Sequence, residues 1–157
     1  MEVELKEIEY EHFHEVIDLE IEKEQEKNLP SNLYSIAEAS FSPTCFTRAI
    51  WRERKIVGFL MYRFGEDEDD QHECIIWRFM IDRRHQNKRI GNAAMALLLK
   101  EIKENDQCKV VEIYYDDKNI AAKKLYTGYG FKPTGTREDG DVIAVLECNV
   151  NATTYSG

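Results

Sequence analysis

Residues 76–94 read Ile76-Trp77-Arg78-Phe79-Met80-Ile81-Asp82-Arg83-Arg84-His85-Gln86-Asn87-Lys88-Arg89-Ile90-Gly91-Asn92-Ala93-Ala94. Three physically different segments follow one another here. Cys74 to Ile81 is apolar except for Arg78, the pattern of a strand covered on both faces. Arg83 to Arg89 is a basic turn. Beyond it, Ile90, Ala94, Leu97, Leu98 and Ile102 fall at helical spacing, which predicts a helix ending near Asn105. Free N–H groups at a helix start, with the helix dipole behind them, favour anions. Gly91, Ala93 and Ala94 leave room for a ligand to approach the backbone, and Arg83, Arg84, Lys88 and Arg89 add cations. The segment reads as a pyrophosphate cradle, although an ordinary basic turn before a helix has the same composition.

Downstream, Val110 to Tyr115 reads as a further strand, and Asn119 caps a helix to about Thr127. Ala122, Leu125, Tyr126 and Tyr129 lie near one face of it, which taken alone is the signature of core packing. Gly128 and Gly130 end that helix. Phe131–Thr136 and Val142–Cys148 complete the strands. Upstream, Val3 to Ile8 alternates apolar and polar residues as a first strand. Phe13, Val16, Ile17 and Ile21 share a face, which predicts a helix over roughly residues 11–25. Pro30-Ser31-Asn32 caps a second helix at about 32–40. Cys45–Trp51 and Ile56–Phe64 form a hairpin around Arg52-Glu53-Arg54-Lys55, and the acids at 66–70 make a solvated loop. The order is β-α-α-β-β-β-α-β-α-β-β, which predicts an α/β fold built on a mixed sheet. A Rossmann fold would alternate more regularly.

The chain has 157 residues with no repeat and no linker, so one domain spans 1–157. Its 21 basic and 30 acidic residues give a net charge of −9. Residues 1–26 hold 11 acids and 2 lysines and account for all of it. This acidity argues against nucleic acid as a partner and favours cations, or simply keeps the chain in solution. The longest apolar runs, such as Ala93–Leu99, are too short to cross a bilayer. The first residues show no basic and apolar leader. Cys45, Cys74, Cys108 and Cys148 are widely spaced, so reduced thiols in a cytoplasmic protein are expected, with no metal site.

Taken together, the basic turn and the segment Asn119–Ala122–Leu125-Tyr126–Gly130-Phe131 resemble the acetyl-CoA-binding core of the GNAT-superfamily N-acetyltransferases. The resemblance covers residues 74–131 by motif and the whole chain by element order. Within the family's Gln/Arg-x-x-Gly-x-Gly/Ala pattern, Gln86 and Gly91 match, whereas Arg89 stands at the first glycine. Residues 30–39 and 76–82 further resemble bacterial spermine/spermidine (diamine) acetyltransferases.

The resemblance implies a GNAT-like sheet of about seven strands whose central pair splays apart. It implies that backbone groups of Phe79, Met80 and Ile81 hold the pantetheine arm of acetyl-CoA. Gln86, Asn87, Lys88, Arg89, Ile90, Gly91 and Asn92 would hold its pyrophosphate, and Asn119 would face the cofactor. Tyr126 would lie beside the sulfur. A phenol, with a pKa of about 10, suits the task of protonating a departing thiolate. The acceptor would be a small cationic amine bound mainly by residues 1–50, with Glu20, Glu24, Tyr34, Glu38 and Trp77 as its expected contacts. The amine's proton acceptor is not legible: Glu73, Asp82, Glu112 and Asp116 qualify by neighbourhood alone. Many relatives are dimers, which implies a homodimer. Rival readings are an acetyltransferase for a peptide or drug amine, and an acyl-CoA-binding module without turnover.

Overall fold

The computed structural model describes residues 2–22, 30–67, 69–86 and 89–148. Its elements are β1 (Val3–Lys6), α1 (Tyr10–Ile17), α2 (Asn32–Ala39), β2 (Cys45–Arg52), β3 (Lys55–Phe64), β4 (Glu73–Ile81), α3 (Ile90–Lys103), β5 (Val110–Tyr115), α4 (Ile120–Gly128), β6 (Lys132–Thr136) and β7 (Val142–Glu147). The order is the predicted one. The strands form one seven-stranded sheet, β1-β2-β3-β4-β5-β7-β6. Every neighbouring pair is antiparallel except β4 and β5. Ser31 caps α2, accepting from the Tyr34 N–H at 3.0 Å. Among the described residues no helix is long and apolar enough to span a membrane, and no group of three or more His, Cys, Asp or Glu is placed to hold a metal ion.

The sheet carries a core on each face. The larger packs Leu60, Tyr62, Cys74, Ile76, Val111, Ile113 and Tyr115 against Ile90, Ala94, Leu98 and Ile102 of α3 and Tyr126 of α4. The smaller packs Phe59, Met61 and Met80 beneath Val16 of α1, with Ile36 of α2 beside it. Strand alternation assigns residues to the two faces, and β4 interrupts the rule. Its register jumps from Ile76↔Tyr62 to Arg78↔Met61, so Trp77 is an extra residue without a partner in β3. Cys74 and Ile76 face the larger core, and Phe79 and Ile81 also pack against it, whereas Trp77 and Met80 belong to the other face. A bulge of this kind bends its strand and re-aims its side chains.

The predicted helix over 11–25 is corrected. It ends at Ile17, and residues 23–25 lie outside the described residues. Ile21 continues the apolar period, yet the backbone of Glu20 is claimed elsewhere. Its N–H donates to Asp82 Oδ2 at 3.1 Å, and its carbonyl accepts from the Arg83 N–H at 2.7 Å. The Asn32 amide takes the Val16 carbonyl at 2.9 Å. These bonds to distant residues replace the next helical turn.

Gly58 sits where β2, β3 and β4 press closest. A Cβ there would lie 2.5 Å from the Met80 carbonyl oxygen and 2.9 Å from Ile50 Cδ1. Gly58→Ala is expected to cost about 1–3 kcal/mol, as overpacking of a filled core does. Urea denaturation of the two proteins measures it.

Candidate active site

The site begins where β4 and β5 part. They pair in parallel from Glu73↔Val110 to Ile76↔Ile113 and no further. Trp77–Ile81 and Tyr114–Tyr115 continue beyond that point, so the β4 edge facing β5 carries unpaired backbone groups inside the sheet. Backbone polar groups in such a position call for a partner. An extended ligand laid in the gap would satisfy them as an added strand does. The predicted splay is therefore present, and Phe79, Met80 and Ile81 line it.

At the C-terminal end of β4 the chain turns into α3. Gln86 steadies the turn by donating to the Ile81 carbonyl at 2.9 Å. Arg89 precedes α3 with φ 62° and ψ 12°, a left-handed conformation, and its side chain makes no capping bond. The glycine of the family pattern is thus replaced while the backbone shape that favours glycine is kept. The first N–H groups of α3, from Ile90, Gly91 and Asn92, have no acceptor within the helix. A Cβ at Gly91 would meet only ordinary contacts, at 3.7 Å or more. Packing therefore does not demand a glycine there. Tyr129 ties α4 to this turn, its hydroxyl donating to the Asn92 carbonyl at 2.7 Å. Asn87 and Lys88 lie outside the described residues.

Tyr126 is 7% exposed and bridges the two diverging strands. Its ring meets Phe79 of β4 at 6.5 Å and Tyr115 of β5 at 5.5 Å, with Phe131 behind it at 6.1 Å. Gly130, at φ 99°, makes the turn that brings Phe131 into the core. Among the described residues no group hydrogen-bonds the Tyr126 hydroxyl. Burial, and then the nearby Tyr115, push its pKa above the ordinary phenol value, so it stays protonated. Asn119 caps α4, accepting from the Ala122 N–H at 3.1 Å.

The opposite face of the gap carries a second cluster, which adds Tyr114, Arg137 and Arg63 to the expected Trp77 and Glu112. Trp77 meets Tyr114 edge-on at 5.7 Å. Arg137, from the β6–β7 turn, lies 4.3 Å from the Tyr114 ring centre, and Arg63 of β3 lies 5.5 Å from that of Trp77. Tyr114 donates to Glu112 Oε2 at 2.8 Å. Period-two alternation in Val110–Tyr115 was the available signal, since it puts Glu112 and Tyr114 on one face.

Of the expected acceptor contacts, only Trp77 stands in this cluster. Glu20 pairs with Arg83 at 3.0 Å, Tyr34 and Glu38 are exposed on α2, and Glu24 lies outside the described residues. Arg78, next to the bulge, is buried. It donates to Asn32 Oδ1 at 3.3 Å and Ser35 Oγ at 3.5 Å, anchoring α2.

The neighbouring carboxylates have other work. Glu73 is exposed at the far end of β4. Asp116 Oδ1 accepts from the Lys118 N–H at 2.9 Å. Asp82 is fully buried, with Arg84 Nε at 2.8 Å, Arg84 Nη2 and backbone N–H both at 2.9 Å, and the Glu20 N–H at 3.1 Å. Burial opposes its charged form, but these donors outweigh burial and hold its pKa well below the carboxylate range. A carboxyl so held does not accept protons near neutral pH.

A parted parallel strand pair, a helix start with free N–H groups and an unengaged phenol thus meet at one end of β4. Residues 6–131 match the model of the acetyltransferase (GNAT) family, and the chain belongs to that family, an N-acetyltransferase by fold and motif. It is 28% identical to the spermine/spermidine N(1)-acetyltransferase of Bacillus subtilis (strain 168) over 136 residues, 84% of this chain and 90% of that protein. Its fold is similar to that of PaiA N-acetyltransferase from Thermoplasma acidophilum, solved in complex with coenzyme A. The TM-score is 0.73 at 16% identity, covering 94% and 99% of the two chains. It is also similar to the ribosomal-protein-S18-alanine N-acetyltransferase of Escherichia coli. There the TM-score is 0.72 at 15% identity, over 93% and 94%.

Two stability predictions follow from this geometry. The pKa of Asp82 in the folded state lies below its unfolded value of about 3.9. Its stabilisation is therefore present above that value and lost as pH falls through the folded one. Asp82→Asn should lower Tm at pH 7, with the gap to wild type closing as the scan is repeated toward about pH 2. Arg89→Gly removes a left-handed non-glycine residue and should raise stability by about 1 kcal/mol, read from chemical denaturation.

Proposed function

We propose that the chain transfers the acetyl group of acetyl-CoA to a primary amine of spermine, spermidine or a related diamine, by direct attack in a ternary complex. The observation that carries the catalytic part is the seat of Tyr126 between Phe79 and Tyr115, with its hydroxyl unengaged. In this reading the free edge of Phe79–Ile81 hydrogen-bonds the pantetheine arm. The start of α3, with Gln86, Arg89, Ile90, Gly91 and Asn92, holds the pyrophosphate, and the sequence adds Asn87 and Lys88. Asn119 sets the start of α4, and thereby Tyr126, against the cofactor. Once the amine has attacked the thioester carbon, Tyr126 donates its proton to the departing sulfur. Burial raises the phenol's pKa, and it raises that of a thiolate leaving in the same dry slot, so the two stay matched.

The polyamine is supported by the similarity to the Bacillus subtilis enzyme and by charge at the mouth of the gap. Asp116 follows Tyr115 directly and faces Asp141 across the β5–β7 pair. Burial first, then Asp139 and Asp116, raise the pKa of Asp141. A polycation bound there would relieve that crowding. Glu20, Glu24, Tyr34, Glu38 and Trp77 remain the proposed acceptor-side contacts, and a cytoplasmic homodimer remains part of the proposal.

Thiol release from acetyl-CoA with spermine, spermidine, putrescine, a lysine peptide and an aminoglycoside tests the substrate. Saturable turnover is expected on the polyamines. Turnover confined to the peptide or the aminoglycoside would overturn that choice. Tyr126→Phe should lose about 10²-fold in kcat with acetyl-CoA binding intact. An unchanged kcat would remove Tyr126 as the acid.

A further inference from the structure

We propose that Tyr114 and Glu112 together accept the proton of the attacking amine, from the face of the sheet opposite Tyr126. The inference rests on the reading above for its reaction, an amine attacking a thioester, and not for which amine it is.

β5 serves both faces of the gap. Val111, Ile113 and Tyr115 point into the larger core, where Tyr115 meets Tyr126. Glu112 and Tyr114 are half-buried on the other face. Ile113 is the last residue of β5 paired with β4, so Tyr114 is the first beside the open gap. Glu112 sits one step back, opposite Ile75, where the strands are still joined. Its carboxylate is thus carried on the paired part of the sheet, and it holds the hydroxyl of the first residue beside the opening.

The phenol is the one hydrogen-bond partner of the Glu112 carboxylate among the described residues, and no cation lies within ion-pair distance of that carboxylate. The charged groups facing the pair are Arg137, 4.3 Å from the Tyr114 ring centre, and Arg63, which faces Trp77. Both lie against aromatic rings and leave the carboxylate unneutralised. Because the phenol's hydrogen is committed to Glu112, its oxygen keeps lone pairs for an N–H donor in the gap. Elimination supports the assignment. Asp82 is clamped by Arg84, Asp116 caps a turn, and Glu73 stands at the wrong end of β4.

An ammonium gives one proton to the Tyr114 oxygen as the Tyr114 proton passes to Glu112, which hands it to water. The free amine attacks, and the C–N bond forms. The C–S bond breaks as Tyr126 protonates the sulfur, and the second nitrogen-bound proton replaces the one Tyr126 gave up. Amide, thiol and one proton in water result. The amine's proton is taken on one face of the sheet and the sulfur is protonated from the other.

The test compares wild type, Glu112→Gln and Tyr114→Phe on whichever amine wild type turns over fastest. A failure of polyamines as substrates is therefore read separately from a failure of this pair. Each variant should lose about 10²-fold in kcat, with KM for acetyl-CoA and Tm little changed. A weakly basic primary amine, already neutral at the assay pH, needs no relay and should recover most of the lost rate in Glu112→Gln. A kcat at the wild-type level in both variants overturns the proposal. So does an equal loss on strongly and weakly basic amines, because a merely structural role affects both alike. Tyr114→Phe keeps the ring contacts with Trp77 and Arg137, so it reports on the hydroxyl alone.

Discussion

The parting of β4 from β5 after Ile76 and Ile113 is the constraint around which the molecule is arranged. A sheet normally satisfies its own backbone, and a gap within it leaves donors and acceptors that something else must meet. Two features hold it open. The bulge at Trp77 bends β4 just where pairing ends. The aromatic group of Phe79, Tyr115, Tyr126 and Phe131 wedges the two strands from the larger core. The wedge meets the strands through ring contacts, so it shapes the opening without pairing the free backbone of β4. That backbone is left for a ligand with amide groups of its own.

The opening has two faces with different chemistry because strands alternate. Tyr114 and Tyr115 are neighbours in sequence, yet one ring meets Trp77 and the other meets Tyr126. Acyl transfer asks for a proton acceptor on the side where the amine arrives and a proton donor on the side where the thiolate leaves. On β5, Tyr114 bonds Glu112 on one face, while Tyr115 on the other packs against Tyr126 of α4. The side chain of Arg78 shows how far the bulge re-aims β4. The bulge turns it into the α2 layer, where burial lowers the pKa of its guanidinium and Asn32 and Ser35 satisfy it.

Much of this was legible in the sequence, for identifiable reasons. Element order followed from strong periodicities, and the caps at Ser31 and Asn119 from side chains that have one local use. The basic turn and the Leu125-Tyr126–Gly130-Phe131 segment were legible because their functions depend on backbone shape and residue size. The rest depended on contacts between distant segments. The end of α1 was decided by Asp82 and Arg83 reaching Glu20, against an apolar period that still favoured helix at Ile21. The bulge broke the alternation that would have put Trp77 and Arg78 on opposite faces. Arg137 reaches Tyr114 from a turn two elements later, a meeting that no local pattern encodes.

Charge completes the arrangement. A basic turn stands at one end of β4, and the acids of the first 26 residues carry the net charge of −9. At physiological salt the screening length is about 8 Å, so such fields act locally and not across the whole molecule. Arg83 and Glu20 meet in a salt bridge at 3.0 Å, and Arg84 is committed to Asp82 at 2.8 Å. Arg83 therefore ties the acidic N-terminal segment to the end of β4, and Arg84 is spent within the turn itself. Arg89 remains exposed, with no ion pair among the described residues. A guanidinium at the family's glycine position costs backbone strain, which the packing of α3 on β4 has to hold.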